Sequence, residues 1–419
     1  MSTAHPTAVI LAVGLNESLI GDHTPRLKAF MQEGRIQHID PTFPAVTTTV
    51  QSSMLTGKSP REHGIVGNGW YDRDLAEIQF WKQSNHLVQS KKIWDTARER
   101  DPECTTLNMF WWYNMYANVD YSVTPRPIYK ADGRKIPDCY SHPQTLRDEL
   151  QEKLGTFPLF NFWGPASSIK STQWIADATR HFHQKFNPTL TLAYLPHLDY
   201  CLQKFGPEHP EIARFATELD TVIGQLLDHF AAADTRVMIA SEYGIEPVDD
   251  AIHINRHLRE DGGISIREEQ GLELMDAGAS DAFAVADHQI AHVYIKDPAK
   301  IPYYKSLCQR IPGVEQVLDR AAQAAHHIDH PRSGDLVLIA EPRRWFSYYY
   351  WLDDLRAPDF ARCVDIHRKP GYDPCELFLD PTFTFPKLQI IRRLLKKKLG
   401  LRTLMDVIPL DTTLVRGSH

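Results

Sequence analysis

Two uninterrupted apolar runs, Val9-Ile10-Leu11-Ala12-Val13 and Leu190-Thr191-Leu192-Ala193-Tyr194-Leu195, constrain this chain more than any other feature. A strand with no polar face needs cover on both sides, which is the pattern of a mainly parallel sheet flanked by helices. Thr235-Arg236-Val237-Met238-Ile239-Ala240 reads as a further parallel strand. Helical patterns fall between these runs. His23–Met31 has Thr24 at a cap position, Pro25 at the first helical position and Gly34 at the exit, and Ser171–Phe186 and Glu211–Ala231 are amphipathic. Alternating strands and helices predict an α/β fold, with functional loops at the C-terminal ends of the strands.

The 419 residues suffice for one large domain with an insertion or for two or three domains. A net charge of -7 argues against a general nucleic-acid or anionic-membrane binder, although it is compatible with a local basic patch. The N-terminal segment from Met1 has no basic leader region. Its apolar run Ala8–Leu15 is too short for a membrane span and reads as the first buried strand, so no transmembrane segment is expected. The cysteines, six in all, form no CxxC pair and no framework spacing, which predicts packed thiols and a cytoplasmic setting.

The stretch Pro41–Asp72 carries the chemistry. Pro44 stops regular structure, Thr47-Thr48-Thr49 stand where a helix would begin, and Val50, Met54 and Leu55 follow at helical spacing before Thr56-Gly57. A hydroxyl at a helix N-terminus lies beside unpaired N–H groups that favour an anion such as phosphate. Attack on phosphorus is the chemistry suggested. A capped helix followed by a glycine-rich turn is the plainer alternative, and for Thr42, Thr48 and Thr49 taken singly it is preferred.

Thr47 followed by Thr56-Gly57, and then Pro60-Arg61-Glu62-His63-Gly64-Ile65-Val66-Gly67-Asn68, resembles the nucleotide pyrophosphatase/phosphodiesterase branch of the alkaline phosphatase superfamily. The resemblance implies an alkaline phosphatase-like sandwich with a mainly parallel central sheet and an inserted α+β cap. It covers roughly residues 8–72, 190–245 and the C-terminus. It implies Thr47 as nucleophile and Asn68 as the group holding a non-bridging phosphate oxygen. It further implies metal ligands at Asp199, at Glu242 and, from Arg416-Gly417-Ser418-His419, at His419.

The chain departs from the family pattern at several ligand positions. Val13 stands where the family has aspartate, Gln203 replaces the histidine four residues after Asp199, and Glu242-Tyr243 replaces Asp-His. An amide is a poor zinc donor, and a phenol coordinates only when deprotonated, from an ordinary pKa near 10. Asn16, Glu17 and His197 lie near enough in sequence to substitute, with loop or structural roles as alternatives. Asp287-His288 is a further possible replacement pair.

Residues 1–248 are expected to form the first part of the core, 249–380 an inserted cap, and 381–419 a return to the core. His292–Ile295 and Leu336–Ala340 suit an antiparallel cap. The aromatic segment Phe110–Tyr116 reads as core, Arg368 and Lys369 as a surface charge pair or a phosphate clamp, and His326–His330 as a solvated helix end. Lys387–Leu399 reads as a core-packed amphipathic helix with a solvated basic face, membrane or acidic-partner binding being the alternative. Met405–Pro409 looks strand-like.

The function these features predict is hydrolysis of a small phosphorylated substrate, a phosphoester or phosphoanhydride, through a threonine nucleophile. A divalent metal, zinc, is the expected cofactor, as one ion or two. The replaced ligands raise two alternatives. One is a catalytically degenerate ligand-binding or scaffold module, and the other is a one-metal or metal-independent transferase that still uses Thr47.

Overall fold

A computed structural model of the chain describes residues 4–419; Met1, Ser2 and Thr3, the head of the N-terminal segment, lie outside the described residues. The chain forms two compact units, one of Met1–Lys58 with Gln83–Ile245 and one of Ser59–Lys82 with Glu246–His419. Residues 249–380 and 381–419 therefore fall in the same unit, together with the 59–82 excursion that follows the threonine helix.

The first unit is a mixed α/β structure around a six-stranded sheet. Its order is Arg236–Ala240, Thr7–Ala12, Leu190–Leu195, Thr106–Met109, Tyr121–Pro125 and Cys139–His142. Neighbours pair in parallel except the last, which runs antiparallel to Tyr121–Pro125. The two apolar runs lie side by side inside the sheet, with Leu11 paired to Tyr194 on one side and to Ala240 on the other. Arg236–Ala240 is an edge strand, which is why it tolerates Arg236 and leaves Met238 exposed.

The helix Ile212–Ala232 buries Leu219, Ile223 and Leu226, spaced i, i+4, i+7, and Ile169–Phe186 buries Trp174, Ile175 and Phe182. These side chains join Ile10, Leu11 and Leu192 in one core. Of the aromatic segment, Phe110 packs on Phe157, Phe162 and Trp174, whereas Tyr116 is exposed.

The second unit holds a four-stranded antiparallel sheet in the order Ala282–Asp287, Ile290–Ile295, Leu336–Ala340, Val314–Leu318. Its first two strands are buried along their whole length.

Three expectations need correction in this unit. Lys369 is no surface charge, because its side chain is buried against Asp373 and Glu376, both at 2.7 Å. Arg368, its neighbour, is the exposed member and pairs with Asp359. The segment Met405–Pro409 forms no strand; Val407 and Ile408 instead use single backbone bonds to Asp380 and Arg362 while packing beside Trp345. The helix Pro386–Lys398 has no fully buried residue, so its leucines do not enter the core. All the cysteines are free thiols. No helix among the described residues is long and apolar enough to cross a membrane.

Candidate active site

In the first unit the helix Thr47–Thr56 begins at the nucleophile candidate, with Val46 extended at its cap and Gly57 closing it in the left-handed conformation. Thr47 is 4% exposed, and its hydroxyl lies 3.0 Å from the Tyr243 hydroxyl. Tyr243 in turn donates to Asp199 Oδ1 at 3.4 Å. Three residues far apart in sequence thus form one line of hydrogen-bonding groups.

Asp199 and Tyr243 each follow the end of a strand of the central sheet, whereas Thr47 begins its helix after an irregular segment. Asp199 sits in the first turn of the helix His197–Phe205, directly after Leu190–Leu195, and Glu242-Tyr243 follows Arg236–Ala240. Gly14, at the end of Thr7–Ala12, explains how closely the three ends approach. It has φ +77°, and a Cβ there would come within 3.1 Å of Leu202 and 3.5 Å of the Asp199 backbone nitrogen. Val13 before it is fully buried, and its N–H donates to the Leu195 carbonyl, a packing role.

Gln51 stands one turn after Thr47 on the same helix face. Its amide donates to Glu242 Oε1 and accepts from the Trp112 N–H at 2.7 Å. Glu242 Oε2 meets no donor in hydrogen-bonding geometry among the described residues. Burial raises the Glu242 pKa well above the carboxylate range, opposed by the Gln51 amide and more weakly by the neighbouring Thr47 and Tyr243 hydroxyls. Asp199 is likewise pushed up to about 7 by burial, against hydrogen bonds from Gln203 and Tyr243. The Tyr243 phenol is raised well above 10, first by burial and then by the two carboxylates. Among the described residues neither acid has an ion-pair partner, so no positive charge offsets its burial.

Other nearby candidates are engaged elsewhere. His197 is buried against Glu218 at 2.9 Å, Glu17 is solvated beside His38, and Asn16 accepts from Ser18. The first unit therefore offers oxygen donors at this place: two carboxylates, the Gln203 amide and two hydroxyls. Among the described residues no three His, Cys, Asp or Glu side chains are grouped to hold one ion. Zinc favours imidazole and thiolate in tetrahedral sets, and this donor chemistry does not fit a zinc pair.

Asn68 and His419 belong to the second unit. Asn68 follows Gly67, where a Cβ would stand 3.1 Å from Asp287 Oδ2. That close approach lets Asp287 accept from the Asn68 backbone N–H at 2.7 Å and from its amide at 3.0 Å. Burial raises Asp287 to about 7, with Asn68 opposing. His288 is sandwiched between the rings of Tyr372 and His419, each centroid 3.7 Å away, and the His419 carbonyl accepts from the Gln289 N–H. His326 caps the short helix Arg320–Ala325, but the end is not solvated throughout as expected, because Ile328 and His330 just beyond it are buried.

The sequence reading singles out neither Gln51 nor the bridging role of Tyr243. Gln51 could have been found from its i+4 spacing to Thr47. Tyr243, weighed only as a lost ligand, is the bridge between Thr47 and Asp199.

A family model described as type I phosphodiesterase / nucleotide pyrophosphatase matches residues 7–373. A pyrophosphatase/phosphodiesterase of Schizosaccharomyces pombe is 25% identical over 54% of this chain and 42% of its own length. Ectonucleotide pyrophosphatase/phosphodiesterase family member 7 of Homo sapiens is 20% identical over 76% of this chain and 62% of its own. The chain thus spans less than two thirds of these relatives. Among solved structures, phosphonoacetate hydrolase from Sinorhizobium meliloti superposes with a TM-score of 0.59 at 15% identity over 84% of each chain. Murine ectonucleotide pyrophosphatase/phosphodiesterase 5 gives 0.56 at 15% identity over 83% of this chain and 82% of its own. These likenesses show a shared fold.

Proposed function

Because the chain belongs to the type I phosphodiesterase / nucleotide pyrophosphatase family, we propose that it hydrolyses a small phosphoester or phosphoanhydride through Thr47. The observation that supports this reading is the line from the Thr47 hydroxyl through Tyr243 to Asp199. An ionised carboxylate only accepts, so Tyr243 donates to Asp199 and its oxygen is left to accept from Thr47.

The first step follows from that polarity. Asp199 takes the Tyr243 proton, Tyr243 takes the Thr47 proton, and the Thr47 oxygen attacks phosphorus. The Thr47 O–P bond forms as the bond to the leaving oxygen breaks, and the proton held at Asp199 returns to that oxygen. Water then cleaves the phosphothreonine, and its protons restore the Thr47 hydroxyl and the product.

A chromogenic phosphodiester assay, run with and without added zinc, manganese or magnesium, tests the reading. Thr47→Ala should lower turnover by about 10^4-fold, roughly 5 kcal/mol of transition-state stabilisation. Intact mass of the quenched wild-type reaction should show a phosphoryl adduct that the variant lacks. Equal rates in the two proteins would remove Thr47 from the mechanism. One observation favours a second reading, a ligand-binding module without turnover. Burial holds both Asp199 and Glu242 toward their neutral forms. Phosphate-ester binding by wild type with no turnover under any metal would select it.

A further inference from the structure

The helix Pro386–Lys398 carries its apolar stripe on the wrong side for a packed helix. At about 100° per residue, Leu388, Ile391, Leu395 and Leu399 fall on one face. All four are exposed, by 63%, 52%, 55% and 78%. The opposite side is the one that docks. Ile390 packs on the cluster of Val248, Trp345 and Ile408, and Arg393 pairs with Asp406 at 2.8 Å. An amphipathic helix on a globular surface ordinarily turns its apolar stripe inward. Here the stripe faces solvent, and Phe385 and Leu401, which flank the helix, are exposed as well.

The flanks of the stripe are cationic. Lys387 and Lys398 lie along one border, Arg392 and Lys396 along the other, and none of these four has an ion-pair partner among the described residues. Residues 386–404 contain seven lysines and arginines and no acidic residue, within a chain of net charge -7. Cations on both borders of an exposed apolar stripe match a surface that is negative at the headgroups and apolar just below. A second copy of the chain would bring two such helices together against like-charge repulsion. At 13 residues the helix is far too short to span a bilayer.

We propose that this helix docks the chain on an anionic lipid bilayer, lying in the headgroup plane with Leu388, Ile391, Leu395 and Leu399 inserted into the acyl boundary. The test is co-sedimentation of the full chain with phosphatidylcholine vesicles, with and without about 30% phosphatidylserine. Binding should be at least about tenfold tighter to the anionic vesicles and should weaken as salt rises. Ile391→Glu with Leu395→Glu should lose more than about tenfold in binding at an unchanged melting temperature, as should Lys396→Glu with Lys398→Glu. No binding to anionic vesicles, or equal binding by wild type and both double variants, overturns the proposal. Without vesicle binding, a concentration-dependent dimer abolished by Leu395→Glu would assign the face to a second copy. Tight capture of an acidic amphipathic peptide instead would assign it to a protein partner.

Discussion

Asp199 and Glu242 in the first unit and Asp373 and Glu376 in the second are pairs of buried acids with opposite provisions. The second pair surrounds Lys369, whose ammonium is fully enclosed and touches both carboxylates at 2.7 Å. Burial works to lower the Lys369 pKa, and the two acids overcome it and hold the lysine charged. Among the described residues Asp199 and Glu242 have hydroxyls and amides as partners, so burial drives both toward the protonated form. A compensated cluster is mortar. An uncompensated one binds a proton more tightly than an exposed acid does, which suits Asp199, once ionised, to take a proton and return it.

Lys369→Met would break this contrast most sharply. It leaves two buried acids without their cation, and chemical denaturation should show a loss of about 3–5 kcal/mol with turnover per folded molecule preserved. A loss below about 1 kcal/mol would show that the lysine is not compensating anything.

The pH dependence of stability comes next. The folded-state pKa of Asp199, about 7, lies above the ordinary aspartate value, so the folded state binds the proton more tightly. The stability this contributes is complete below about pH 4 and is lost as pH rises through about 7, a few kcal/mol at most. Asp287, also near 7, adds a second slope of the same sign. Denaturation from pH 4.5 to 8 should therefore show a falling stability whose slope is reduced, not abolished, in Asp199→Asn. Activity should run the other way, rising as Asp199 ionises. A pH-independent stability would contradict the assignment of these acids.

Tyr243→Phe removes the bridge and leaves both acids in place. It should lower kcat by about 10^2-fold with KM little changed, roughly 2.7 kcal/mol. If the rate is unaffected, Thr47 hands its proton elsewhere, Glu242 being the neighbouring acceptor. The smallest effect belongs to Gly14→Ala. A left-handed alanine pressed toward the Asp199 helix should cost about 1–2 kcal/mol of stability. Turnover should fall with it if that strand end sets the position of Asp199.

The α/β class, the two inner strands and the start of the threonine helix were legible because they are local patterns. Apolar runs, caps and helical spacing act over a few residues and leave their signature in order. The edge position of Arg236–Ala240 was not, since which strand lies outermost depends on pairings across the chain. The same limit hid the burial of Lys369, whose two partners lie four and seven residues on but meet it only when the surrounding chain closes over them. The helix at Pro386–Lys398 was recognisable as amphipathic, yet its rotation was set by Ile390, Arg393 and Asp406 and not by its own periodicity.

By itself, then, the order of residues determined the family, the strand–helix alternation and a hydroxyl at the head of a helix. Only tertiary structure decided that this hydroxyl faces Tyr243, that Tyr243 reaches Asp199, and that Gln51 ties Glu242 to the same helix. Hydrogen bonds between groups 44 to 196 residues apart are consequences of where strand ends converge. The proton affinities of the acids follow from that convergence too, because burial belongs to the folded chain and not to any residue in it.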